Sequence, residues 1–167
     1  QHFPIDVFQG GAGTSSNMNM NEVIANRGLE LMGRSCGDYD HLHPNDDVNR
    51  SQSTNDVYPT AIRMALMISM PGLIEAMEAL AGAFEEKGES FSGIRKLGRT
   101  ELQDAVPMTV GSEMSAYAVT IREDVERLRE TVNLLSEVNL GGTAIGTGVT
   151  APAEYCIEVL AELRQLS

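Results

Sequence analysis

The chain has 167 residues, 42% of them hydrophobic and 22% charged, with a formal net charge of −12. That length and balance suit a globular protein able to bury a sizeable core. The acidic excess argues against binding nucleic acid or an anionic membrane, yet it permits an anionic small molecule held by local donors in a closed pocket.

Residues 1–8 read as an extended lead into the stretch Gln9–Arg27, which holds Gly10, Gly11 and Gly13, then Thr14, Ser15, Ser16, Asn17, Asn19 and Asn21. The glycines let backbone approach a ligand, and the hydroxyls and amides are neutral donors ahead of a helix whose positive end faces them. Two readings stay open here: a small-anion site, or an ordinary glycine-rich turn with an N-cap. The helix is expected from about Asn21 to Met32, with Val23, Ile24, Leu29 and Leu31 among its apolar positions. Residues 34–55 are polar and rich in turn formers, so loops with one short helix are expected. This segment contains His43-Pro-Asn-Asp46 and Ser53-Thr-Asn-Asp56. The second reads equally as a helix N-cap and as a donor set, because a helix start caps itself and binds anions with the same groups.

From Tyr58 to Met70 the chain is almost continuously apolar, which predicts a helix buried on most sides inside a bundle or an oligomer. Pro59 fits its first turn. Arg63 interrupts the run, and 64–70 is too short to span a bilayer, so no membrane partner is expected. A further helix is predicted from Pro71 to about Lys87, on Leu73, Ile74, Met77, Leu80, Ala81 and Phe84. Residues 88–98 read as a loop or short extended stretch. Residues 110–138 carry Tyr117, Ile121, Val125, Leu128, Val132 and Leu135 at bundle-seam spacing. A glycine/threonine loop at 141–148 precedes a last helix from near Pro152 to Ser167. There is no internal repeat or low-complexity tract. Few segments read as strand, so the chain is expected to be mainly α, its long helices each spanning about 20–40 Å. Cys36 and Cys156 form no metal or redox motif, and reduced thiols in a cytoplasmic protein are the expectation.

Three segments in order, Gly10–Asn19, Gln52–Pro59 and Leu102–Thr109 (Leu-Gln-Asp-Ala-Val-Pro-Met-Thr), resemble the aspartase/fumarase superfamily. They look most like its aspartate ammonia-lyases. The resemblance runs from about Gln9 to Gly148. It implies a mainly α fold built on a long-helix bundle, with residues 1–55 the C-terminal part of an N-terminal domain and 56–167 part of the central bundle. It also implies that the chain is one piece of a longer subunit, and that subunits form a homotetramer whose active sites are shared. The implied reaction releases fumarate from a small dicarboxylate by eliminating ammonia from L-aspartate through an aci-carboxylate. No cofactor is implied, and activation by a divalent cation stays open. A class II fumarase or another fumarate-forming lyase is the alternative, and an inactive self-associating helical fragment is a second.

By motif, Thr14, Ser53, Thr54, Asn55, Thr100 and Glu101 fall at substrate-binding positions. His43, Asn45 and Asp46 fall at a bend where a second dicarboxylate can sit. His41 and His43 are too few for a metal site. Glu101 departs from the family, which has His, or Gln in some aspartases, after Gly-Arg-Thr. An ionised Glu there repels a dicarboxylate unless it pairs with Arg99 or the substrate ammonium, or serves a different substrate. The catalytic base is not assignable: the family's base serine precedes a Met-Pro-x-Lys-x-Asn signature, which this sequence lacks.

Overall fold

A computed structural model describes residues 2–166, so two expectations, the lead-in at Gln1 and the helix end at Ser167, lie outside the described residues. The chain is mainly α, as expected. Helices α1 (Thr14–Leu31), α2 (Thr54–Ser90), α3 (Val110–Leu135) and α4 (Ala153–Leu166) are joined by a π-helical turn at Pro44–Val48 and a two-stranded hairpin, β1 (Arg95–Thr100) and β2 (Gln103–Thr109). The chain divides into two compact units, residues 1–65 with 137–167, and residues 66–136.

In the first unit, α1 begins seven residues before the expected Asn21. Gly13 enters it in the left-handed region, with φ 91°. The helix then buries Asn17, Asn21, Ala25 and Leu29 at four-residue steps, so its inner face is polar in the first half and apolar in the second. Asparagine is a poor helix former. These two are held because Asn17 Nδ2 and Asn21 Nδ2 both donate to Asn49 Oδ1, at 3.2 and 2.9 Å. Ile24 and Leu31, expected on the apolar face, are largely exposed. The segment after α1 folds back on it. Asn26 donates to the Tyr39 hydroxyl at 3.1 Å and accepts from the Gly37 N–H at 2.7 Å. Gly28 leaves room for Leu42, since a Cβ there would lie 2.5 Å from Leu42 Cδ2.

The two helices expected over 58–70 and 71–87 are one helix of 37 residues, about 55 Å long, running through Pro71. Pro71 starts no helix here; it sits exposed inside α2, where it lacks the N–H for one backbone hydrogen bond. The expectation that the apolar run is too short for a bilayer also changes: by length and composition α2 could cross one. A helix from the core of a helical bundle passes the same test, and α2 leaves Ile62, Leu66, Ile68, Leu73 and Leu80 between 46% and 71% exposed in this chain.

In the second unit, α2 and α3 run antiparallel. Arg122 pairs with Glu85 through Nε and Nη2, at 2.8 and 2.6 Å, Arg129 reaches Glu78, and Phe84 meets Tyr117 edge-on at 5.5 Å. Most of the expected seam is present: Val125 is buried, and Ile121, Leu128, Val132 and Leu135 are half-buried, but Tyr117 is 47% exposed and the neighbouring Ala118 takes the buried place. Near the hairpin the helices touch backbone to backbone. A Cβ on Gly88 would lie 2.5 Å from Ser115 Oγ, and one on Gly111 would strike the Gly88 carbonyl. Thr109 and Ser112 cap α3 reciprocally. The loop or short extended stretch expected over 88–98 ends in strand β1, and a hairpin at 95–109, not expected as such, carries it on. Its strands pair antiparallel, Arg95 with Thr109 through Thr100 with Gln103, with an irregularity between Leu97 and Arg99. Lys96 Nζ bonds both Glu113 carboxylate oxygens, at 2.7 and 2.8 Å, tying the hairpin to α3.

Candidate functional site

Two helix starts lie side by side in the first unit. The loop Gly10–Gly13 delivers α1, which no side chain caps. Thr14 Oγ1, at its first residue, donates to the Gly11 carbonyl at 2.7 Å and is exposed. Gly13 abuts the first turn of α2: a Cβ there would lie 2.6 Å from Tyr58 Cζ and closer still to Cδ1 and Cε1. The left-handed φ and the packed ring both exclude any larger residue. One hydrogen bond joins the two helices directly, from Asn17 Nδ2 to Thr54 Oγ1 at 3.1 Å.

Ser53, Thr54 and Asn55 form the cap and first turn of α2, four residues before the expected start at Tyr58. Ser53 Oγ accepts from the Asn55 N–H at 3.1 Å. Thr54 Oγ1 accepts from Asn17. Each hydroxyl therefore serves as an acceptor inside the protein and keeps its own hydrogen to give. Asn55 Nδ2 donates one hydrogen to the Ala144 carbonyl at 2.8 Å and has a second. Three consecutive residues thus retain three neutral donors at the positive end of a 37-residue helix. The N-cap reading and the donor reading of Ser53–Asp56 are compatible.

Asp56 was not singled out from the sequence, and it organises this turn. It is fully buried. Its Oδ1 accepts from the Ser53 N–H at 2.9 Å, and its Oδ2 accepts from the N–H groups of Gly141 and Thr143 at 3.1 and 2.8 Å. Asn139 Nδ2 also donates to the Asn55 carbonyl at 3.0 Å. Burial first, then the nearby Asp56 carboxylate, push the Tyr155 phenol above its ordinary range, and its hydroxyl has no partner among the described residues.

The remaining candidates lie elsewhere. His43 caps the π-helical turn: its Nδ1 accepts from the N–H groups of Asn45 and Asp46 at 3.2 and 3.1 Å, and its ring meets Tyr39 edge-on. Nδ1 is therefore occupied and Nε2 is the ring atom left for a ligand. Asn45 bonds Asp46, while His41 pairs with Asp38 at 3.0 Å, away from any shared ligand with His43. Among the described residues no group of three His, Cys, Asp or Glu side chains is placed to hold a metal ion. Thr100 and Glu101 belong to the second unit. Thr100 ends β1, and Glu101 and Leu102 form a two-residue turn with φ 49° and 65°. Both side chains at the tip are exposed, and Arg99 Nη2 reaches the Leu102 carbonyl instead of Glu101.

A family model described as lyase matches residues 1–167. An aspartate ammonia-lyase from Pseudomonas aeruginosa is 57% identical over 156 residues, 93% of this chain and 33% of the relative. One from Escherichia coli K12 is 54% identical over 164 residues, 96% of this chain and 34% of the relative. The chain therefore spans about a third of the length of the curated relatives it matches. Among solved structures, a fumarate lyase:delta crystallin from Brucella melitensis bound to cobalt has a TM-score of 0.87 at 60% identity, over 97% of this chain and 35% of that one. A class II fumarase from Schistosoma mansoni has a TM-score of 0.82 at 36% identity, over 99% of this chain and 35% of that one.

Proposed function

The chain belongs to the lyase family, and on that premise we propose that the complete protein is an aspartate ammonia-lyase, which eliminates ammonia from L-aspartate to release fumarate. The observation that carries this reading is the donor set at the paired helix starts: Ser53, Thr54 and Asn55 on α2 keep hydrogens to give, beside Thr14 on α1, whose hydroxyl hydrogen goes to the Gly11 carbonyl. Removing the proton beside a carboxylate creates a dianionic aci-carboxylate, and its stabilisation is the hard part of the reaction. Neutral hydroxyl and amide donors suit that charge, because fixing them in place beforehand costs less than desolvating ions. The two helix ends add partial positive charge at the same place.

The base is contributed by parts of the subunit beyond this chain. Residues 1–55 close an N-terminal domain, and 56–167 enter the central bundle. The exposed apolar flank of α2 supports assembly into a homotetramer, in which Thr100 and Glu101 complete a shared pocket and His43, Asn45 and Asp46 border a second dicarboxylate position. We place the enzyme in the cytoplasm, in keeping with two free thiols, and expect catalysis without a cofactor. Activation by a divalent cation is decided by titrating the metal into chelator-treated enzyme.

A class II fumarase is the second reading, favoured by the likeness to the Schistosoma mansoni enzyme. Fumarate release by the complete protein from L-aspartate and from L-malate separates the two. Turnover of aspartate alone supports the proposal, turnover of malate alone transfers it to fumarase, and turnover of neither defeats the elimination reading.

A further inference from the structure

We propose that Asp56 is a positioning residue for Asn55, acting through the loop at 141–148; this rests on the elimination reading above. Asp56 is fully buried, and every hydrogen bond its carboxylate accepts among the described residues comes from backbone, so it cannot itself touch a ligand. Two of those bonds reach Gly141 and Thr143, which lie in left-handed conformations with φ 92° and 56°. That bend brings two N–H groups of one loop to a single carboxylate oxygen, Oδ2. Thr143 is itself 4% exposed. The next carbonyl, that of Ala144, is the acceptor for Asn55 Nδ2 at 2.8 Å.

The connection is a closed ring. The Asp56 carboxylate fixes the Thr143 N–H, the adjoining Ala144 carbonyl fixes the Asn55 amide, and Asn55 adjoins Asp56. Asn139 closes the same ring from the other side through the Asn55 carbonyl. An amide group is planar, so anchoring one of its N–H groups sets the direction of the other N–H and of Oδ1. Without the carboxylate the loop loses two of its anchors, and Asn55 then loses the acceptor that orients it. The sequence places Asp56 and Gly141 far apart, and neither alone suggests this role.

The test is a double-mutant cycle in the complete enzyme. Asp56→Asn puts an amide NH2 where a backbone N–H now donates, so donor faces donor. We expect kcat/KM for aspartate to fall about a hundredfold, the scale set by misplacing a binding group. In an Asn55→Ala background the same change should cost nothing further, and amide hydrogen exchange at Gly141 and Thr143 should accelerate in both backgrounds. Losses that multiply, or wild-type kinetics in Asp56→Asn, overturn the proposal. If Asp56→Asn does not fold, Gly141→Ala displaces the loop with both side chains kept, because its Cβ would lie 3.0 Å from Cys156 Sγ in left-handed backbone. Its loss should likewise vanish in Asn55→Ala, and a multiplying loss overturns the proposal. A wild-type enzyme that turns over neither aspartate nor malate overturns the elimination reading and this proposal with it. An active wild type with multiplying losses overturns this proposal only.

Discussion

Gly13→Ala should destabilise the protein by about 2–5 kcal/mol, by two separable routes. Left-handed backbone at a residue with a Cβ costs about 1–2 kcal/mol, and Gly13 sits at φ 91°. The added methyl would also meet the Tyr58 ring, 2.6 Å from Cζ. Displacing a packed ring costs about 1–3 kcal/mol. The assay is urea unfolding of the complete protein at fixed subunit concentration, since the apparent stability of an oligomer depends on concentration. Gly10→Ala is the control: nothing lies within 4 Å of a Cβ there, and its cost should stay within about 0.5 kcal/mol. In a Tyr58→Ala background the steric part disappears, so Gly13→Ala should then cost only the backbone part, about 1–2 kcal/mol. Equal costs in the two backgrounds would refute the ring contact. A Gly13→Ala variant as stable as Gly10→Ala would refute the whole argument.

Ser53→Ala and Thr54→Ala should each lower kcat/KM for aspartate about a hundredfold, roughly 3 kcal/mol for one donor to a developing oxyanion. Steady-state kinetics at equal folded fraction check this, and wild-type turnover in both removes them from the site. Glu101→Gln should lower KM for aspartate several-fold if the carboxylate faces the substrate dicarboxylate. A raised KM points instead to pairing with the substrate ammonium, and an unchanged KM puts the hairpin tip outside the pocket. Tyr155→Phe should leave stability at pH 7 unchanged or slightly raised, because the buried hydroxyl lacks a partner. Below the ordinary tyrosine value of 10.0 the phenol is neutral in the folded and unfolded chain alike; above it the unfolded chain gives up a proton that the folded chain retains. Stability is therefore lost as pH rises through that range, and Tyr155→Phe should flatten the loss in urea midpoints measured between about pH 9 and pH 11.

The sequence carried the helical class, the α3 seam and the donor motifs, because each rests on local spacing or on an uninterrupted run of residues. Thr14, Ser53, Thr54 and Asn55 stand out in the sequence as hydroxyl and amide side chains, and the structure brings the two helix starts that carry them together. The network that joins those starts was not legible. Asn17 and Asn21 sit four apart, in step with Ala25 and Leu29, yet a pattern built on apolar residues skips asparagine, and the partner Asn49 is settled only by folding. Asp56 was hidden for the same reason: its partners Gly141 and Thr143 offer backbone, which leaves no mark in side-chain chemistry. The hairpin escaped because its turn places Glu101 and Leu102 in left-handed backbone with no glycine or asparagine to announce it. Pro71 misled in the other direction, since one proline inside a long helix reads as a boundary.

The Asn17–Asn49–Asn21 amides and the Thr54 hydroxyl that link α1 to α2 contain no titratable proton. The joint is electrically mute: acid and alkali move no charge through it, and added salt has no charge there to screen. Thr14 and Thr54 should therefore keep their spacing across the working pH range. A pH–rate profile of the complete protein should then carry no contribution from a remodelled joint.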